Sequence, residues 1–300
     1  MSSSDEGTPK YSPFSFGRIS AITANTLLEL TRLKVFYVLL LFALVLIGSS
    51  MFMARMTFQQ EFQVLKDISL GSMSIFSSVL AIIAAARLLP QEIEDRTIYT
   101  ILSKPVPRRE YLFGKLAGVL LLLAISVAVM AAMFITVLYL REQSVLREMT
   151  RQMSGASPDQ LNDALRGVRD SAFKIDILGG IAMIYLKASL LASLTLFVST
   201  FASSNVFTII VMVFVYFIGH LQGTARDFWL QQHAAGWTSR LFLALVAFVF
   251  PDLQLFNLTD DIAAGASIPM ALFLKTTALG AFYIVVYFLL AWAVFSGKEL

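Results

Sequence analysis

The sequence predicts an all-α integral membrane protein with six transmembrane helices. Hydrophobic residues make up 57% of the 300 positions and charged residues only 14%, whereas a soluble domain carries roughly 25% charged residues. Mean hydropathy is +0.75. A soluble fold must cover its outside with polar groups. The apolar surplus, which includes 25 phenylalanines, therefore has to face lipid.

The same composition excludes several classes of site. The absence of cysteine rules out disulfides, thiolate metal ligands and cysteine nucleophiles. Two histidines cannot build a histidine-rich zinc site. Neither a His-Glu-x-x-His helix nor a Gly-x-Ser-x-Gly turn occurs. A net charge of +3 is too small to indicate a nucleic-acid partner. We expect no catalytic residue, no bound metal or cofactor, and no cleaved secretory signal.

The apolar stretches place the six spans along the chain. A helix that crosses the hydrocarbon needs about 20 apolar residues. The predicted spans are 35–54, 68–89, 115–140, 177–200, 204–222 and 275–296. The fourth and fifth share one uncharged run that is too long for a single crossing and contains a polar turn. Six spans place both termini on one side of the membrane, and we treat 1–300 as a single domain.

Before the first span, the pattern indicates an amphipathic helix. Ser12 and Pro13 supply a cap and a first-turn proline. The apolar positions that follow at helical spacing are Ile19, Ile22, Thr26, Leu30 and Leu33. We expect this helix to lie on the membrane surface.

Two further segments lie between spans. The apolar stretch 241–250 stops at Pro251 and is too short to cross, which predicts a re-entrant or interfacial segment between spans five and six. The loop 141–176 predicts two short amphipathic helices around a turn on the extracytoplasmic side. It is either a surface elaboration or a docking site for an extracytoplasmic protein.

The segment 90–115 between spans two and three carries many charges. Pro90 opens a helix whose first turns hold several acids, where the helix dipole favours them. An apolar stripe follows, and Pro105 ends the helix. The segment therefore predicts a stiff amphipathic helix just outside the membrane, or a solvated interfacial loop of the ordinary kind.

The motifs in and around this segment resemble those of ABC-2-type transporter permeases. In the segment they are Glu94-x-Arg96-Thr97, Leu102-Ser103-x-Pro105, Arg108 or Arg109, and Gly114-Lys115. Farther along they are Ser199-Thr-Phe-Ala-Ser203, Tyr216-x-x-Gly219-His220, Pro251-Asp-Leu-x-x-Phe256-Asn257, and Phe295-x-x-Lys298-Glu-Leu300. Within that family the chain looks closest to the six-span permeases of nitrous-oxide-reductase maturation and gliding-motility complexes.

The resemblance implies a dimer of six-span subunits, each docked on a cytoplasmic ATPase in a bacterial inner membrane. The helix between spans two and three would be a coupling helix inserted into the ATPase, and both termini would be cytoplasmic. Charge counting alone leaves this orientation nearly tied. The ATPase contacts that the resemblance implies are Glu92, Glu94, Asp95, Arg96 and Thr97, with Arg108 and Arg109 as flanking anchors.

The chain contains no Gly-x-x-x-x-Gly-Lys-Ser/Thr loop, with which backbone amides cradle nucleotide phosphates. ATP and Mg²⁺ are therefore expected on the partner ATPase. The first functional hypothesis is the permease of an ATP-driven exporter. The second is a mechanical transmitter that acts on an extracytoplasmic partner without export. The third is a stand-alone membrane scaffold or pore.

One charged residue lies well inside a predicted span, and two glycine pairs lie near span ends. Lys187 either lines a translocation pathway or snorkels to the surface, and snorkelling is favoured if the span begins near Ala182. Gly114-x-x-x-Gly118 and Gly219-x-x-x-Gly223 match the close-packing motif of membrane helices, so we expect them to serve helix packing.

Overall fold

The computed structural model describes residues 15–56, 60–94, 107–155, 157–174, 176–231, 237, 251–266 and 268–297. Every regular element in these residues is helical. The helices are α1 (Phe16–Thr31), α2 (Lys34–Met56), α3 (Glu61–Ala86), α4 (Pro90–Glu94), α5 (Arg108–Gln152), α6 (Pro158–Ala172), α7 (Asp176–Phe201), α8 (Asn205–Gln231), α9 (Thr259–Ala263) and α10 (Met270–Gly297). A 3₁₀ turn, Leu253–Phe256, lies between α8 and α9.

Six helices in this part of the chain are long and apolar enough to cross a membrane. They correspond to α2, α3, α5, α7, α8 and α10. The predicted all-α membrane fold with six spans is therefore confirmed.

Helix α7 forms the centre of the bundle and packs against α3 and α10. Its buried side chains are mostly small or aliphatic, such as Leu190, Ala192 and Ser193. By contrast, α2 and α10 expose large apolar side chains, including Phe52 and Phe282. These exposed faces are suited to lipid, because hydrocarbon removes the cost of leaving apolar side chains uncovered.

Helix α1 packs across the beginning of α5. A Cβ atom at Gly114 would lie 2.8 Å from Cβ of Ile22, and one at Gly118 would lie 2.7 Å from Cβ of Thr26. Only glycine allows the two helices to approach this closely. The predicted apolar face of α1 and the packing role of this glycine pair are confirmed, and the position of α1 on the membrane surface stays a prediction.

Helix α5 continues well beyond the third predicted span. It has 45 residues, so it is about 67 Å long at about 1.5 Å per residue. The prediction of two short helices in the loop 141–176 is half wrong, because its first part is the continuation of α5. The second part is the separate helix α6, with Ser157 as its N-cap and Pro158 in its first turn. Together they form a hairpin beyond the bundle.

The segment after the apolar stretch 241–250 packs into the bundle. A Cβ atom at Gly219 would lie 2.7 Å from Leu253, and one at Gly223 would overlap the side chain of Gln254. The second glycine pair thus also serves packing, here against the 3₁₀ turn rather than an α-helix. The stretch 241–250 itself lies outside the described residues, so its re-entrant or interfacial character stays a prediction.

Candidate functional site

A buried lysine joins three elements at one end of the bundle, which we call the α1 end. Lys115, in the first turns of α5, is 2% exposed. Its Nζ forms an ion pair with Glu92 of α4 and lies 3.5 Å from a carboxylate oxygen of Glu29 on α1. A buried ammonium needs such partners, because an unpaired charge is costly to desolvate. Lys115 therefore ties the start of the segment 90–115 to α1 and α5.

A second ion pair fixes α1 to α5 at the same end. Arg18 donates from Nε to Glu110 at 2.8 Å and from Nη2 to the other carboxylate oxygen at 3.1 Å. This bidentate geometry restricts the relative orientation of the two side chains. The Glu110 side chain is fully buried. The hydrogen bond to Glu110 raises the pKa of Arg18 above its usual value, so the guanidinium stays charged.

The structure places the predicted coupling residues in different surroundings. Glu92 faces Lys115 and is only 9% exposed. Arg108 donates from Nη1 to the carbonyl oxygens of Phe295 and Ser296, at 3.1 and 2.9 Å, near the end of α10. Arg109 is exposed. At the α1 end, the start of the segment 90–115 is thus joined to α5, and the beginning of α5 is joined to the end of the last helix.

The structure describes little of the other predicted ATPase contacts. Glu94 ends α4, and its side chain is outside what the structure describes. Asp95, Arg96 and Thr97 lie outside the described residues. Their contact with an ATPase stays a prediction.

Sequence reasoning missed the ionic partners Arg18, Glu29 and Glu110. The sequence contains one signal for these ion pairs. Glu110 and Lys115 are charged residues at the very start of a long apolar helix. Such residues need partners when a neighbouring helix covers them. The patterns did not identify α1 as that neighbour.

Lys187 lies near the middle of α7 and is 2% exposed. Its Nζ donates to Oγ of Ser74 on α3 at 2.6 Å. A lysine at the centre of a span costs about 2.5–3.5 kcal/mol on insertion scales. The snorkelling prediction is wrong, because α7 begins at Asp176 rather than near Ala182 and α3 covers the ammonium.

Further polar side chains lie near this lysine on α3, on α8 and in the 3₁₀ turn. The hydroxyl of Tyr216 on α8 lies near Ser78, which is one turn along α3 from Ser74 and donates to the Ser74 carbonyl at 2.7 Å. The His220 ring stacks at a tilt on Tyr216, with 4.3 Å between ring centroids. Asp252, which caps the 3₁₀ turn, lies near His220. Polar groups of α3, α8 and the 3₁₀ turn therefore lie together beside α7.

At the opposite end, which we call the hairpin end, three contacts attach the hairpin to the spans. Arg141 of α5 pairs with Glu61, Lys66 donates to the carbonyl of Ser171 at 2.8 Å, and Lys174 donates to that of Gly265. An open groove of about 840 Å³ lies between these elements. The hairpin is thus fixed to α3 and to the segment after α9.

The comparison with protein families assigns the chain. The profile described as "ABC-2 family transporter protein" matches residues 20–300. The chain belongs to the ABC-2 transporter family. No curated protein matches the chain.

Membership in the ABC-2 family makes the chain a permease component of an ABC transporter and a multi-pass membrane protein. Its partner is a cytoplasmic ABC ATPase. In the part of the chain that the structure describes, no cluster of acidic or histidine side chains could hold a metal ion. The arrangement suits mechanical coupling, because its buried ion pairs connect helices instead of facing a substrate cavity.

Proposed function

We propose that the chain is the permease of an ATP-driven exporter in a bacterial inner membrane. It forms a homodimer, both termini are cytoplasmic, and the α1 end faces the ATPase. The part of the segment 90–115 that precedes α5 contains the coupling helix of the permease. ATP and Mg²⁺ bind the ATPase, and this chain converts ATPase closure into movement of its spans.

The bridge from Lys115 to Glu92 and Glu29 carries this proposal. A segment that docks on an ATPase can move the spans only if it is mechanically joined to them. Glu92, at the start of the segment, is held by the same ammonium that lies against α1. Because the pair is largely buried, salt and water screen it little. We therefore assign Glu92 and Lys115 to transmission, and Glu94, Asp95, Arg96 and Thr97 to ATPase contact.

Co-purification tests the docking part of the proposal. The permease is expressed with the ABC ATPase encoded nearest its gene, as wild type and as Glu94→Ala/Arg96→Ala. Asp163→Ala/Arg166→Ala, on exposed positions of α6, is the matched control. We expect the first double variant to lose the ATPase and the control to keep it. A wild-type permease that is folded but does not retain the ATPase would contradict the proposal.

A specific observation favours mechanical transmission as the second candidate function. The bridge residue Lys115 and the hairpin lie on the same uninterrupted helix, α5. A hydrocarbon layer of about 30 Å accounts for less than half of the length of this helix. Movement of α5 at the cytoplasmic end would therefore reach an extracytoplasmic partner bound to the hairpin, with no transported substrate.

A further inference from the structure

The coupling role does not use Lys187, although it is a charged side chain at the centre of the bundle. Its ammonium has three N–H donors. Among the residues that the structure describes, its hydrogen-bond acceptor is the hydroxyl of Ser74, and none of the ion pairs includes it. A hydroxyl is neutral, so this partner does not compensate the charge.

The groups next to Lys187 are hydroxyls that can donate hydrogen bonds. Ser74 accepts from Lys187, Ser78 lies one turn along α3 with its hydroxyl on the Ser74 carbonyl, and the Tyr216 hydroxyl of α8 lies near Ser78. Hydroxyl groups can turn their hydrogen toward an oxyanion once one is present. An ammonium surrounded by such donors has the composition of an oxyanion site, since charge-assisted hydrogen bonds to carboxylate or phosphate are the strong ones.

Asp252 forms no ion pair with Lys187 in the described part of the chain. Asp252 caps the 3₁₀ turn that follows 241–250 and lies near His220. His220 stacks on Tyr216, and its Nδ1–H donates to the Tyr216 carbonyl oxygen at 3.0 Å. Among the described residues, Lys187 thus has no carboxylate partner, and its ammonium can receive an incoming anionic group.

We propose that Lys187, Ser74, Ser78 and Tyr216 form a binding site for an anionic group of the transported molecule. The group is a carboxylate, a phosphate or a sulfonate, carried by a lipid headgroup or by a soluble solute. The proposal rests on the permease function above, because it makes these residues part of the translocation pathway.

A single introduced thiol tests the site, because the chain has no cysteine of its own. Ser74→Cys places a reporter beside Lys187, and Ser78→Cys is a second reporter if the first variant misfolds. Ser126→Cys on α5 is the control, since Ser126 is equally buried and bonds to its own helix. The permease is reconstituted in phosphatidylcholine discs and treated with methanethiosulfonate reagents that carry either a sulfonate or a trimethylammonium group.

We expect the sulfonate reagent to modify the Ser74→Cys protein roughly tenfold or more faster than the cationic reagent, because a cationic crevice concentrates anions. Lys187→Met in the same background removes this preference, and Lys187→Arg keeps it. The Ser126→Cys control shows no charge preference. If a lipid headgroup carries the anionic group that binds the site, phosphatidylglycerol in the discs slows the reaction with the sulfonate reagent. If a soluble solute carries it, inorganic phosphate slows the reaction.

Three results would overturn the site. They are no modification at either reporter even while the complex turns over ATP, equal rates for the two reagents, or protection by neither anion. The measurement on the permease alone requires no ATPase. A failed site is therefore distinguishable from a failed permease assignment, which would appear instead as loss of ATPase co-purification.

Discussion

Lys115 of α5 and Glu92 of α4 form an ion pair at the α1 end, across the segment that joins the second and third spans. Because Lys115 is almost fully buried, the Glu92 side chain faces the interior of the bundle. The pair therefore holds the start of the segment against the bundle. The pair thus occupies the position where a force on the segment would enter the spans.

The first prediction concerns Lys115→Met. Removal of the ammonium leaves the largely buried Glu92 carboxylate without this partner, and breaking a buried pair costs about 3–5 kcal/mol. We expect a lower thermal unfolding midpoint and loss of permease-dependent ATPase stimulation. Lys275→Met, at an exposed position on α10, should change neither. Restoration of stability by Lys115→Met/Glu92→Gln would confirm that the unpaired carboxylate is the cause.

The second prediction concerns the attachment of α1. Arg18→Ala removes both hydrogen bonds to the buried Glu110 carboxylate, whereas Arg18→Lys keeps the charge and loses the fork geometry. We expect limited proteolysis to cut within α1 fastest in Arg18→Ala, more slowly in Arg18→Lys, and slowest in wild type. Equal rates in all three proteins would show that α1 is held by its apolar face alone.

The third prediction uses the glycine pair on α5. Gly118→Ala adds a Cβ that would lie 2.7 Å from Thr26, so α1 must shift. We expect a lower thermal unfolding midpoint in detergent. Intrinsic tryptophan fluorescence measures it, because the chain has no cysteine for a thiol-reactive dye. Gly71→Ala on α3 meets nothing within 4 Å, and it should be neutral or stabilising because alanine favours a helix by roughly 1 kcal/mol over glycine. A neutral Gly118→Ala would contradict the close packing.

The fourth prediction separates stability from transport at Lys187. Lys187→Met keeps most of the side-chain volume and removes a buried charge, which costs about 2.5–3.5 kcal/mol at a span centre. We therefore expect a higher unfolding midpoint together with loss of transport, since functional groups are often retained at a cost in stability. A variant that is both less stable and fully active would contradict the pathway role.

The fifth prediction distinguishes the two candidate functions. Arg147→Pro breaks α5 beyond the membrane, because proline removes a backbone donor and clashes with the preceding turn. Export would tolerate this change, whereas mechanical transmission to the hairpin would fail with ATPase activity intact. Arg147→Ala, which keeps the helix, is the control. Measurement requires the activity of the complex in cells together with its ATPase rate in discs.

The spans could be predicted from the sequence because their signal is length and apolarity, both local properties. The continuation of α5 could not, since Arg141 ends the apolar pattern while the following residues still favour a helix. The same limit applies to Lys187. Its burial depends on Ser74, which is remote in sequence, and no periodicity reveals that two such positions meet.

The candidate site shows the same division. Segment 90–115 was recognisable from its motifs, and Gly114-Lys115 belonged to them. The motifs did not predict that Glu92 faces inward to Lys115. They also did not predict that Lys115 contacts Glu29, because Glu29 belongs to α1, whose amphipathic pattern is ordinary. Ion pairs between remote helices are tertiary properties, and sequence spacing does not encode them.

Charge reversal at the Lys115–Glu92 pair, with the ATPase rate of the co-purified complex as readout, is the decisive measurement. We predict that Lys115→Glu and Glu92→Lys each retain the ATPase but lose permease-dependent stimulation, and that the double variant Lys115→Glu/Glu92→Lys recovers it. Full stimulation in either single variant, with the complex intact, would contradict transmission through this pair.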